Sequence, residues 1–149
     1  MSTKLTPHFT LEELTTTKTG IENLPNVSQT NALRILCRDI LEPLRTCLNE
    51  HTYQLTKLRN ATIIVDSAFR SAAVNRAVGG VSNSQHLIGQ AADIHSNYVS
   101  PLNIYRTIGS LVHDGLLNIG QCIIYRKSNF VHVSLPTKTH KNEFIIRNK

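Results

Sequence analysis

Apolar residues at helical spacing occupy the first third of this chain, and short β-branched runs fill most of the rest, without the regular strand–helix alternation of a parallel α/β fold. Leu33, Leu36, Ile40, Leu44 and Cys47 share one helical face, with Ser28 as the expected N-cap and an end expected near Asn49. Pro43 falls inside that pattern and is expected to kink it. Earlier, "HFTLEEL" predicts a short helix with Thr10 as N-cap and Glu13 closing a capping box. "SPLNIYRTIGSLVHDG" predicts another, with Ser100 as N-cap, Pro101 at the first position and Gly115 just past the end. "ATIIVDSAF" and "QAADIH" read as strands, "GQCIIY" and "FVHVSL" as an antiparallel pair joined by the polar turn "RKSN", and "EFIIR" as a last edge strand. This order predicts an α+β fold with a small, mainly antiparallel sheet and flanking helices, forming one domain over residues 1–149.

Composition removes several classes of function. A hydrophobic share of 40% with 17% charged residues suits a packed globular core and argues against disorder. No run approaches the roughly 18 apolar residues of a membrane span, and the N-terminus has no apolar leader core, so cytoplasmic synthesis without membrane insertion is expected. Three cysteines, Cys37, Cys47 and Cys122, form no Cys-x-x-Cys pair, which argues against a disulfide framework or a cysteine zinc site. The net charge of +6 favours an anionic partner. The excess is diffuse, with Lys138, Lys141, Arg147 and Lys149 making a loosely basic tail. There is no recognition helix, aromatic stacking set or cysteine finger for nucleic acid, so no nucleic-acid partner is expected.

The chemistry concentrates in "SNSQHLIGQAADIH", residues 82–95. On a strand, Asp93 and His95 point to one face with Ala91, and Ala92 and Ile94 to the other. In "FVHVSL", Val131, Val133 and Leu135 form an apolar face and His132 projects oppositely. His86 precedes a glycine turn that can return the chain towards Asp93. Two imidazoles and a carboxylate would suit zinc with one position open to water. Each residue also has a plainer use: His132 as a hydrogen-bonded structural histidine, Asp93 as a cap or an arginine partner, and His95 as an exposed strand-end residue. His8, His51, His113 and His140 read as ordinary surface or core residues.

The pattern Ser84-x-His86-x-x-Gly89-x-Ala91-x-Asp93, with "SAFRS" upstream and "FVHVS" downstream, closely resembles the zinc D-alanyl-D-alanine carboxypeptidase and murein endopeptidase family, metallopeptidase family 15. That family is related in fold to lysostaphin-type endopeptidases and the hedgehog signalling domain. The resemblance spans most of the chain and implies a hedgehog/DD-peptidase-like domain binding Zn2+ through His86, Asp93 and His132. It implies that Arg70 holds an anionic substrate group or polarises the scissile carbonyl, and that Ser84 hydrogen-bonds the peptide. Gly89 and Ala91 would keep the metal loop tight.

The sequence departs from the family at one position: many members carry a glutamate three residues before the last histidine, where this chain has Asn129. An asparagine cannot accept a proton. His95 is the substitute that sequence logic favours, with Asp66 a weaker one. The resemblance thus implies a monomeric peptidase acting on stem peptides or cross-links of peptidoglycan, as an endolysin or virion-associated lysis enzyme of a phage or prophage would. The alternative, motivated by Asn129, is a zinc-containing wall-binding or virion structural module with weak catalysis.

Overall fold

A short antiparallel pair, β1 (Lys4–Thr6) and β2 (Phe9–Thr10), leads directly into α1 (Leu11–Leu14) in the computed structural model, which describes residues 2–57 and 61–148. Lys149 of the basic tail lies outside the described residues. The expected capping box is present: the Glu13 amide donates to the Thr10 hydroxyl at 3.2 Å, and the Thr10 amide donates to the Glu13 carboxylate at 3.1 Å.

The next helix, α2 (Val27–Leu36), corrects the sequence reading at its start. Asn26 caps it, not Ser28, because Asn26 and Gln29 each accept the other's backbone N–H at 2.8 Å. That reciprocal pair satisfies two otherwise unpaired amides. Pro43 has no N–H to donate, and just before it the helix widens into a π-helical turn, Cys37–Leu41, before α3 (Glu42–Thr56) resumes. The Glu42 N–H reaches back to the Cys37 carbonyl. α3 also outlasts its expected end near Asn49. Asn49 is buried inside the helix, where its amide donates to Arg45 O at 3.0 Å and to Ala61 O at 2.7 Å instead of marking a terminus.

Five strands form the main sheet in the order β3-β4-β6-β5-β7: β3 (Ile63–Ser67), β4 (Ala91–Ser96), β6 (Val131–Ser134), β5 (Gln121–Tyr125) and β7 (Glu143–Arg147). The first three pairings are antiparallel, but β7 runs parallel to β5, so the sheet is mixed and larger than the small, mainly antiparallel one expected. β6 returns the chain to where β5 began. There Asn142 N–H bonds to Ile119 O at 2.7 Å and Glu143 N–H to Gly120 O at 3.0 Å. "EFIIR" therefore takes its expected edge place, but in the direction of β5.

Strand alternation divides the sheet into two faces. Ala92, Ile94, Cys122, Val131 and Val133 are buried with Leu33, Leu36, Ile40 and Leu44 from the α2–α3 stretch and Ile104 and Ile108 from α5 (Pro101–His113) in one core cluster. Each fully buried leucine or isoleucine contributes about 1.5–3 kcal/mol, so this side forms a stiff floor. The opposite face carries the polar residues of the motif. Before β4 the chain makes α4 (Ala72–Ala77), capped by Ser71, and one 3-10 turn, Gln85–Ile88. Among the described residues, no helix is long and apolar enough to cross a membrane.

Candidate metal centre

Register brings the first two site residues together. β4 and β6 pair Asp93 with His132, and β6 and β5 pair His132 with Ile123. Directly opposed residues have Cβ atoms roughly 5 Å apart, close enough for their polar ends to meet. The His132 Nδ1–H donates to Asp93 Oδ1 at 2.9 Å. His86 arrives from the 3-10 turn, which ends at Gly89 in the left-handed conformation, φ 75°. A Cβ at Gly89 would stand 2.6 Å from the Gln29 carbonyl oxygen, so only glycine lets this turn lie against the start of α2. The buried His86 ring donates from Nδ1 to Ala68 O at 2.6 Å, which leaves Nε2 aimed at Asp93 Oδ1, 3.4 Å away. The two imidazoles meet edge to face with centroids 5.2 Å apart.

Burial alone would push the Asp93 carboxyl up, but the hydrogen bonds from His132 and His86 and their charge outweigh it and hold the carboxyl well below its usual range. Its second oxygen, Oδ2, accepts from the Arg70 guanidinium at 3.2 Å. Arg70 is itself held, donating to Ser67 Oγ at 3.2 Å and to Asn75 Oδ1 at 3.4 Å. Its backbone N–H bonds to His86 O at 3.0 Å, so the "SAFRS" turn and the 3-10 turn are stitched together behind the cluster. Two buried asparagines escaped the sequence reading, although both serve this stitching. Asn75 supports Arg70, and Asn23 donates to Thr15 O and Phe69 O, both at 2.9 Å, while accepting from Ser71 N–H at 2.7 Å. Asn23 is recognisable only by its distant partners, whereas those of Asn75, Arg70 and Val81 O, lie five and six residues away.

His86, Asp93 and His132 each offer one ligand atom, and these atoms lie within 4.8 Å of one another. The edges of a tetrahedral zinc site with bonds of about 2.0–2.1 Å are about 3.4 Å long; the His86–Asp93 separation of 3.4 Å matches that edge, and the His132–Asp93 separation of 2.9 Å is shorter, as a direct hydrogen bond makes it. A donor set of two imidazole nitrogens and a carboxylate oxygen suits zinc, and the Ala68 carbonyl and Arg70 are the outer partners that orient such ligands. The residues present therefore fit the ion that the sequence pattern implies.

The cluster opens into a cleft of about 560 Å³ lined also by Arg70, Ser84, Tyr125, Phe130, His140 and Arg147. The Ser84 hydroxyl accepts from the His86 N–H at 3.2 Å, capping the 3-10 turn from the cleft wall. The Tyr125 phenol is pushed up by burial and by Asp93, and pulled back by Arg147 and Arg70. His95 lies two residues beyond Asp93 on β4, where its Nδ1–H donates to Asp66 Oδ2 at 2.8 Å. It is not among the residues lining the cleft, and neither is Asn129, which is exposed in the turn before β6. His140, read from sequence as ordinary, does line the cleft and donates from Nδ1 to Glu143 Oε1 at 2.5 Å. No local signal pointed to His140 or Arg147, since their place depends on where the chain re-enters the sheet to pair β7 with β5.

A comparison with curated proteins finds no match to this chain. The sequence model of one family, described as Peptidase M15, matches residues 7–134, which contain Arg70 and all three residues of the cluster. With that match over most of its length and a His–Asp–His cluster at the mouth of a cleft, the chain belongs to the peptidase M15 family.

Proposed function

We propose that this chain is a zinc-dependent peptidase of peptidoglycan, hydrolysing stem peptides or cross-links, with residues 1–149 as one hedgehog/DD-peptidase-like domain. The observation that carries this reading is the His86–Asp93–His132 cluster, set in the cleft of a chain of the M15 family. His86, Asp93 and His132 hold the ion. Zinc so bound lowers the pKa of a coordinated water towards neutrality and polarises a carbonyl. Arg70, fixed against Asp93 Oδ2, orients the carboxylate and presents positive charge to the carbonyl oxygen of the substrate. Ser84, on the wall, offers its hydroxyl proton to the peptide backbone while its oxygen caps the 3-10 turn. The relay that the sequence assigns is His95, whose ring Asp66 orients with Nε2 left to accept the proton of the attacking water and return it to the leaving amine. It stands outside the cleft lining, whereas the His140–Glu143 pair stands within it through His140. The site of action is the cell wall, reached after release of an endolysin-like enzyme or from a virion, and the protein works as a monomer without nucleic acid.

Metal analysis and mass spectrometry of muropeptides test this reading. Purified protein is expected to carry one zinc and to cut, and His132→Ala is expected to lose both. His95→Ala should slow cleavage by about 10²–10⁴-fold with zinc retained. If His140→Ala has that effect instead, the relay belongs to the His140–Glu143 pair. The exposed Asn129 favours one second reading, a wall-binding or virion module with weak catalysis. Cleavage that begins only when Asn129→Glu is introduced would establish it.

A further inference from the structure

Two residues wall the cleft from beyond the segment that the family model matches, His140 and Arg147. The His140 ring is engaged by Glu143 at 2.5 Å. The Arg147 guanidinium, by contrast, has neither a hydrogen-bond nor an ion-pair partner among the described residues. It is the counterpart of Arg70, whose donors are turned onto Ser67, Asn75 and Asp93. Of the two arginines in the cleft, Arg147 is thus the one whose planar fork remains open to a ligand.

Its placement follows from strand register. Arg147 is the β7 partner of Tyr125, and two residues earlier Ile145 partners Ile123, which in turn partners His132. Two strand spacings of about 4.8 Å across and a two-residue step of about 6.8 Å along put the Arg147 Cα on the order of 12 Å from that of His132. Beside it stand Tyr125 and Phe130, their rings tilted at 42° with centroids 5.2 Å apart. One side of the cleft therefore passes from the metal cluster to an aromatic pair and then to an open guanidinium. The charge of Arg147 is felt inside the cleft, since it counteracts the upward push of burial on the Tyr125 phenol.

We propose that Arg147 binds a free carboxylate of the substrate, lying within about two residues of the scissile bond, and so selects peptides that carry one. This rests on the peptidase reading for the identity of the ligand. Both side chains reach into the cleft and shorten the 12 Å between backbones, and an extended peptide advancing about 3.4 Å per residue fills the remaining gap with one or two residues. The aromatic pair suits the aliphatic part of those residues, and the guanidinium suits the carboxylate through two parallel hydrogen bonds. Stem peptides carry such carboxylates as α-carboxyl groups, and amidation removes the charge without changing the length.

Calorimetric titration of zinc-loaded protein with two synthetic stem peptides, one with free carboxylates and one fully amidated, tests the assignment. Cleavage is followed in parallel by mass spectrometry. Wild type is expected to bind the free form about tenfold or more tightly than the amide. Arg147→Gln should remove most of that difference, and Arg147→Lys should restore part of it. Arg126→Gln, which removes the same charge from an exposed site outside the cleft lining, should leave it intact. Equal binding of the two peptides by wild type, loss of the difference in Arg126→Gln, or an unchanged difference in Arg147→Gln would each overturn the assignment. Peptide bound with this preference but never cut supports Arg147 while sinking the peptidase reading. Cutting without dependence on Arg147 does the reverse, and absence of binding sinks the assignment.

Discussion

Asn23 shows how far one uncharged side chain can reach into this site. It is buried, and its three hydrogen bonds, to Thr15 O, Phe69 O and Ser71 N–H, hold the loop before α2 against the turn that carries Arg70. Asn23→Ala leaves two carbonyls and an amide without partners in a place water reaches poorly. A loss of about 2–3 kcal/mol is expected, read as a fall of roughly 5–10 °C in Tm for a chain of this size. Arg70 is expected to respond differently, because its partner is the Asp93 carboxylate. Arg70→Ala should weaken zinc by about 10–100-fold, as loss of an outer partner of a metal ligand does. Competition with a chelator of known affinity separates the two, since Asn23→Ala lowers Tm with and without the metal, while Arg70→Ala acts most on the metal-loaded form.

At the scale of elements, the 3-10 turn matters most, because it alone delivers His86 from outside the sheet. Gly89→Ala meets two obstacles: a left-handed backbone, which costs an L-residue about 1–2 kcal/mol, and a Cβ placed against the Gln29 carbonyl. Gly115 has nearly the same φ, 74°, with nothing within 4 Å of an added Cβ, so Gly115→Ala isolates the backbone cost. Gly89→Ala is expected to lose more stability than Gly115→Ala and, unlike it, to weaken zinc. Equal Tm losses and equal zinc affinities would mean that the contact with α2 does not position His86. Such elements were legible where their cause is local. The capping box at Thr10, the Ser100–Pro101 helix start, the strand runs and the β5–β6 hairpin could each be read from neighbouring residues. Asn26 displaced Ser28 as cap through reciprocity with Gln29, a pairing overlooked though local. The parallel seating of β7, and with it the presence of Arg147 in the cleft, depends on where the chain re-enters the sheet, and no short pattern encodes that.

The whole molecule keeps two thiols away from water, and this gives its stability a predictable slope with pH. Cys37 lies in the π-helical turn and Cys122 on the core face of β5, both fully buried. Burial pushes the Cys37 thiol up to about 12, with Glu42 and Glu13 adding to the push and Arg34 opposing it, and burial alone pushes Cys122 to about 12. Both groups have a folded pKa above the unfolded value, so their favourable contribution is complete below about pH 8.5 and is lost as pH rises towards 12. Over that window the unfolded chain releases two protons that the folded chain retains. The unfolding free energy should therefore fall by up to about 2.7 kcal/mol per pH unit from these thiols, about 1.4 for each. Urea midpoints measured from pH 8 to 10.5 give the slope, and Cys122→Ala is expected to lower stability at every pH while making the slope shallower. A slope that Cys122→Ala leaves unchanged would place the alkaline loss elsewhere. The same thiols test the proposed metal: alkylation of the buried Cys37 and Cys122 requires the core to open, and an ion held by His86, Asp93 and His132, across two strands and the 3-10 turn, would bind the closed form. Adding zinc at about 100 times its Kd should slow their alkylation by about a hundredfold where opening is global, whereas His132→Ala should show no such protection. Alkylation that ignores zinc would mean that the core opens without disturbing the His86–Asp93–His132 cluster.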